Sequence, residues 1–282
     1  MAGIDLGLLP PLSAVKQMTH EEIQAEMSKI GSLDQMTPSD PAFRAMLAGS
    51  YRETLLRQDA DEQCRAVMLA SAFGSDLDNI GVTYYRQADG LPVVRLDGEN
   101  DEDYRYRLHN SPGGLSTAGP KDAYEFHAMS AHPNIKEALC ISPAPVKIKM
   151  YLLGREGSGI VTAEQCRLVE GYLWTRRPLT DQVEAVPADV VEYSVDAEIF
   201  QIKNSDPAGV TAKSKASLDS YVKLQHRLKG KITLSALHAV MMVPGVEEVR
   251  VSNWTDVVCP ASAAPFCTGA SVTFGGWQEA DE

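Results

Sequence analysis

Residues 40–73 read DPAFRAMLAGSYRETLLRQDADEQCRAVMLASAF, and this stretch decides the fold class. Asp40 can cap a helix, and Pro41 suits its first position because first-turn amides have no intrahelical acceptor. No further proline occurs until Pro92, so the pattern predicts one helix from Pro41 to about Phe73. Such a rod would hold about 33 residues and measure about 50 Å, well beyond the usual three or four turns. Phe43, Met46, Leu47, Tyr51 and Leu55 form an apolar stripe, the middle turns polar around Gln58 to Gln63, and Val67, Met68, Ala70 and Phe73 close the segment. A break near Asp59 would give two helices instead. One chain offers no obvious second rod to cover both apolar stretches. Phe43, Met46, Leu47, Tyr51, Leu55, Val67 and Met68 are therefore predicted to face partner chains in a helical bundle.

Upstream, Thr19-His20-Glu21-Glu22 is a capping box that opens a shorter helix, with Ile23, Met27 and Ile30 as its apolar stripe and Gly31 at its end. Downstream, Gly74-Ser75-Asp76 ends the rod and caps a short helix that Gly81 terminates. From Ile135 the apolar period changes to two. Val146, Ile148, Met150 and Leu152 alternate with Lys147, Lys149 and Tyr151, and Ser142-Pro143-Ala144-Pro145 separates this strand from an earlier one. Thr162-Ala163-Glu164-Gln165 is a second capping box, opening a helix that stops near Arg176-Arg177-Pro178. A second strand pair follows, in which Val191, Tyr193, Val195, Ala197 and Ile199 alternate with Glu192, Ser194, Asp196 and Glu198. Helical stretches near Thr211–Lys229 and Leu234–Met242, a strand at Val246–Val251 and a last strand near Ser271–Phe274 complete the chain. The expected class is α+β, with a helical N-terminal region (residues 1–81), an acidic loop with connecting helices (82–132) and two α+β modules (133–203 and 204–282).

The chain has 282 residues, enough for one large domain or two ordinary ones. With 44% hydrophobic and 23% charged residues it falls in the range of folded proteins and outside that of disordered ones. Acidic residues number 38 against 26 basic ones, and the net charge of −12 repels nucleic acid and anionic membranes. The segment Met1–Leu12 has no cation before its apolar stretch, which Pro10-Pro11 breaks, so export by the general secretory route is not expected. No window reaches the length of a membrane span. Cys64, Cys140, Cys166, Cys259 and Cys267 are scattered and odd in number, which reads as reduced, mostly buried thiols.

The chemistry-bearing motifs are mostly negative. Gly154-Arg155-Glu156-Gly157-Ser158-Gly159 lacks both the dinucleotide fingerprint and a Walker lysine, and reads as a mobile turn. The acidic run Asp97 to Asp103 lacks the ligand spacing of an EF-hand and supplies first-turn carboxylates to a Tyr104-Arg105-Tyr106-Arg107 helix. His127 and His132 fall on different helix faces. No nucleophile elbow occurs. No catalytic, cofactor-binding or metal-binding residue is expected, although a Cys/His hydrolase could converge in space without a sequence signal.

One ordered set of landmarks is more specific. It comprises Leu77-Asp78-Asn79-Ile80-Gly81, then Asp101 to Arg107, then Ser116-Thr117-Ala118-Gly119 before a helix with Tyr124. Ser142-Pro143, Arg177-Pro178-Leu179-Thr180-Asp181 and Pro244-Gly245-Val246-Glu247-Glu248-Val249 follow. In this order they resemble the baseplate J-like family of contractile phage tails. The pattern departs at Ala144, where relatives turn with proline and glycine, and the C-terminus with Gly275-Gly276-Trp277 has no matched counterpart. In physical terms these residues are architectural: Ser116 or Gly119 can cap a helix that starts at Pro120, Arg177-Pro178 can stop one, and Asp181 can anchor the turn.

The resemblance implies a non-enzymatic structural subunit of the baseplate wedge, located in the virion tail and assembled in the host cytoplasm. Its partners would be a second copy of itself, a different wedge protein, neighbouring wedges in a ring, and the hub/spike, sheath-initiating and tail-fibre proteins. Phages and phage-derived particles such as R-type bacteriocins are equally compatible. The alternatives are a tail-associated hydrolase and a receptor-binding or fibre-attachment protein. Two copies in unequal surroundings would need a joint, either at Gly74–Gly81 or in the loop Leu108–Gly119. The loop is favoured, at Pro112, Gly113 and Gly114, because adjacent glycines give little local stiffness whereas Leu77 and Ile80 are expected to pack into the body.

Overall fold

A computed structural model describes residues 9–10, 13–31, 37–203 and 205–278. Most of the N-terminal stretch Met1–Leu12 lies outside them. The fold is α+β, and the chain divides into two compact units: residues 1–95 with 100–108, and residues 96–99 with 109–282.

The first unit is helical. Helix α1 (His20–Gly31) opens on the expected capping box, with the Glu22 amide donating to Thr19 Oγ1 at 3.2 Å and the Thr19 amide to Glu22 Oε2 at 2.8 Å. Ile23 is buried, but Ile30 is 86% exposed and leaves the expected stripe. Helix α2 (Pro41–Ala66) starts at the Asp40 cap and runs unbroken past Asp59. It has 26 residues, about 39 Å, and ends at Ala66 rather than near Phe73. Val67 is its C-cap and Met68 lies beyond it, so neither is a bundle-helix residue. The last turn is closed locally, with Ser71 Oγ donating to the Arg65 carbonyl at 2.8 Å, and Arg105 donates to the Leu69 and Ala72 carbonyls of the following turn at 2.8 and 2.5 Å. In helix α3 (Gly74–Tyr84) Gly81 is interior and does not end the helix. A Cβ there would stand 1.9 Å from the Tyr104 hydroxyl oxygen, so close approach is what requires glycine. Helix α4 (Asp101–Asn110) carries that tyrosine, whose hydroxyl donates to the Val93 carbonyl at 2.7 Å.

The second unit holds two α/β modules. After a 3-10 helix (Ser111–Leu115) and helix α5 (Lys121–Ala131), strands β1 (Ile135–Ala144) and β2 (Lys147–Gly154) form an antiparallel pair. Ser142, Pro143 and Ala144 belong to β1 and do not separate two strands. The turn is at Val146, whose φ of 71° takes it out of the expected alternation. Helix α6 (Ala163–Trp174) opens on its capping box as the spacing requires, and strand β3 (Gln182–Pro187) joins β2 in parallel. Met150, Leu152, Ile135 and Cys140 from this sheet pack on Tyr124, Val169 and Leu173.

The expected second strand pair is divided between two sheets: β3 ends the first, and strand β4 (Asp189–Ile202) is the centre of the next. Its alternation holds from Tyr193 onward, with Tyr193, Val195, Ala197 and Ile199 buried, while Val191 is exposed. Helix α7 (Pro207–Gln225) begins and ends earlier than expected. Strand β5 (Lys231–Ile232), helix α8 (Leu234–Met241), strand β6 (Val246–Val251), strand β7 (Val257–Val258) and strand β8 (Ala263–Gln278) follow. Strand β4 pairs antiparallel with β6 and parallel with β8, while β5 and β7 form a separate pair. The last strand is far longer than the expected Ser271–Phe274 because its register comes from fourteen residues of β4, not from its own weak alternation. Leu139, Leu153, Ala188, Leu228 and Ala264 fill the seam between the two modules. Across that seam Lys136 Nζ donates to the His226 carbonyl at 2.8 Å and the Leu228 amide to Glu137 Oε2 at 2.7 Å.

Candidate assembly surface and its bracing residues

On α2 the face turned inward carries Ser50 and Asp61, both buried and polar. Ser50 Oγ meets His20 Nδ1 at 3.0 Å. Asp61 accepts from the Ala14 and Val15 amides at 2.9 and 3.0 Å and from Gln17 Nε2, holding residues 14–17 against the helix. These amide bonds lower the Asp61 carboxyl below its ordinary value. The apolar residues divide: Phe43, Met46 and Leu55 are half-buried, while Leu47 and Tyr51 are 40% and 59% exposed. Leu47, Tyr51 and Leu55 follow at i, i+4 and i+8 and share one row of the helix. Val67 and Met68, 69% and 46% exposed, add to the apolar surface of this unit from the turn after α2, not from the helix itself.

The acidic run has a bracing role in the same unit. Asp101 Oδ2 accepts from the Gly74 amide at 2.9 Å, at the start of α3, and both Asp101 and Asp78 bind Arg95 at 2.7 Å. The Gly74 amide is the largest cause that lowers the Asp101 carboxyl. The sequence places Asp101 in a helix first turn, but not its reach to a second helix start.

In the second unit the landmarks Gly119, Tyr124 and Arg177 to Asp181 converge. Tyr124 donates its hydroxyl to Asp181 Oδ2 at 2.5 Å, and burial, reinforced by that carboxylate, pushes the phenol well above its ordinary value. Arg177 Nη1 donates to the carbonyls of Pro178, Leu179 and Asp181 at 3.0, 2.9 and 2.5 Å, closing the loop around one guanidinium. The Arg177 guanidinium also stacks 4.0 Å from the Trp174 ring centre. Gly119, at φ 72°, lies where a Cβ would be 2.6 Å from Pro178. The N-cap of α5 is Pro120, so Ser116 and Gly119 do not cap it. Ser116 Oγ instead accepts from the Ala118 amide at 3.3 Å. The clamp leaves Leu179 93% exposed at the loop tip.

Two segments expected to be loose are packed in this structure. Pro112, Gly113 and Gly114 lie in the 3-10 helix, and a Cβ on Gly114 would come within 2.2 Å of the Phe126 ring and one on Gly113 within 2.8 Å of Asp122. These glycines permit tight packing on α5. The Gly154–Gly159 turn is closed by the Gly154 amide on the Gly159 carbonyl at 2.7 Å. Within it Arg155 donates to Pro133 at 2.8 Å and reaches the buried Glu99 at 3.4 Å. Three of the five cysteines are buried, and all five are free thiols. Among the described residues no cluster of three or more His, Cys, Asp or Glu side chains could hold a metal ion, and no helix is long and apolar enough to cross a membrane.

Comparison with known proteins follows the same division. Residues 38–87 match the baseplate J-like N-terminal domain and residues 116–187 the baseplate J-like central domain. The chain is similar to a chain in the six-fold symmetrised cryo-EM structure of the anti-feeding prophage baseplate, with a TM-score of 0.43 and 13% identity, covering 63% of this chain and 44% of that one. It is 32% identical to baseplate protein J of Escherichia phage P2 over 98% of this chain and 99% of that protein. The chain therefore belongs to the baseplate J-like family and is a structural protein of the contractile-tail baseplate.

Proposed function

We propose that this protein is a wedge subunit that pairs with a second copy and one different wedge protein, forms a ring around the hub and spike, and couples that ring to sheath contraction. The observation that carries the reading is the row Leu47, Tyr51 and Leu55 on α2, of which Leu47 and Tyr51 are exposed and Leu55 is half-buried, while the helix buries Ser50 and Asp61. A long helix that leaves apolar residues on its exposed face gains further stability when other chains cover them. Phe43 and Met46 stand nearer the start of α2, and Val67 and Met68 are exposed in the turn after its end. The clamped loop at Arg177 and the two α/β modules offer rigid bodies for further contacts to neighbouring wedges and to sheath-initiating and fibre proteins. The chain passes between its two compact units at 95/96, 99/100 and 108/109. The joint between unequal environments falls at these crossings, with Pro112, Gly113 and Gly114 moving with α5. Proline at Leu55 removes a mid-helix bond and costs about 3 kcal/mol or more of helix stability. With Leu55→Pro, co-purification with the co-expressed wedge partner is expected to be lost. Normal co-purification would refute the bundle reading.

A further inference from the structure

Strand β8 forms one border of its sheet, and no strand among the described residues pairs with its outer edge. From Ala263 to Gln278 it carries no charged residue, in a chain that is 23% charged. Exposed edge strands are ordinarily guarded by charge, proline or bulges, because their free amides and carbonyls template pairing with another chain. Here the only proline is Pro265, near the strand's start, and register shifts fall between Cys267 and Gly269 and between Phe274 and Gly276. Between them Gly269-Ala270-Ser271-Val272-Thr273-Phe274 runs in regular register, an unguarded edge about 20 Å long.

A second observation lies beside it. Helix α7 covers the inner face of the sheet, and between it and β8 opens an apolar groove of about 520 Å³, lined by Pro207, Ala208, Thr211, Ala212, Val272 and Phe274. Lys215, the one charged residue at its rim, is paired with Asp219 one turn on. A strand added along β8 would place every second side chain toward this groove. On the opposite face, one strand in from this edge, Glu192, Asp196 and Glu198 are exposed on β4, about 10 Å from where an added strand would lie and within reach of a long cationic side chain, and Arg250 is paired with Glu248 on β6. Alternate side chains of an added strand would project on that side.

We propose that the edge Gly269–Phe274 binds an extended segment of a different protein, about six residues long, with apolar residues alternating with lysine or arginine. The backbone edge supplies register, the groove selects the apolar residues and the acidic face selects the basic ones. A second copy fits worse, because its own β8 offers no cation and brings another net charge of −12. The inference is independent of the wedge reading, since its test contains no wedge protein.

The probe is a blocked, fluorescent peptide of alternating valine and lysine, about ten residues long. It is expected to bind the full chain and to slow hydrogen exchange at amides within residues 269–274. Ala212→Glu, at an exposed position of α7, should weaken binding about tenfold or more without lowering the melting temperature, and a valine–glutamate peptide should bind at least about tenfold weaker. Absence of protection at residues 269–274 would overturn the proposal, as would unchanged binding by Ala212→Glu, which would mean general adhesion to an acidic protein. A dimer of the chain alone that Ala212→Glu dissociates would also overturn it and assign the edge to a second copy.

Discussion

Helix α2 and strand β4 both alternate apolar and polar residues, yet β4 buries Tyr193, Val195, Ala197 and Ile199 whereas α2 buries Ser50 and Asp61 and exposes Leu47 and Tyr51. The strand sits between two neighbours and beneath helices, so its apolar face drives folding of the chain itself. The helix is held to its own unit by hydrogen bonds from Ser50 and Asp61. Its exposed apolar residues are the surface proposed for association. On that proposal the same pattern would serve stability in one unit and assembly in the other, and mutations would separate the two.

The largest contrast is expected from truncation. Leu152→Ala, in the first module's core, should cost about 2–5 kcal/mol in denaturant unfolding of the second unit, through lost burial and the cavity left behind. Tyr51→Ala should change the stability of the isolated chain by less than about 0.5 kcal/mol while sharply reducing partner binding. Comparable destabilisation by both would erase the distinction drawn between the units.

Tyr124→Phe sharpens the picture of the clamp. Removing the hydroxyl that Asp181 accepts should cost about 1.5–3 kcal/mol. Because the folded phenol titrates above its unfolded value near 10, its contribution is complete below about pH 10 and lost as the pH rises toward the folded value. The variant should therefore lose this part of the alkaline destabilisation, read from melting temperature against pH.

A smaller effect is expected at the seam. His226 Nδ1 meets the Pro265 carbonyl at 2.8 Å while its buried Nε2 faces Gly159, and burial lowers the imidazole's affinity for a proton. A lowered folded value means that stability is complete above about pH 6.5 and falls as the pH drops through the folded value. Glu137, raised by burial, acts in the opposite direction. Melting between about pH 7 and 5 should therefore be compared for Glu137→Gln and the double variant with His226→Gln, which is expected to be flatter. Equal slopes would remove His226 from the seam's acid response.

The smallest effect is local. Asp61→Asn should leave global melting nearly unchanged but speed hydrogen exchange at the Ala14 and Val15 amides, which the carboxylate holds. Lowered by those amides, Asp61 contributes above its unfolded value near 3.9 and loses that contribution as the pH falls through the folded one. Unchanged exchange would show that these residues are held to α2 by other contacts.

The sequence by itself determined what depends on neighbours in the chain. Both capping boxes are legible because donor and acceptor lie three residues apart, and β4 is legible because its period matches a half-buried strand. The landmark residues include Tyr124 and Asp181, although only the fold showed that these two bond to each other and that Arg177 closes on three carbonyls. Tertiary structure decided everything set by partners distant in sequence. The turn that follows α2 is held by Arg105, whose guanidinium takes carbonyls thirty-six and thirty-three residues away. Gly81, Gly113 and Gly114 are glycines because Tyr104, Asp122 and Phe126 come too close for a side chain. Strand β8 runs sixteen residues because β4 supplies a hydrogen-bonding template that its own glycines and weak alternation do not announce. Local hydrogen bonds and hydrophobic period are written in adjacent residues. Steric close approach and strand pairing come into being only once distant segments meet.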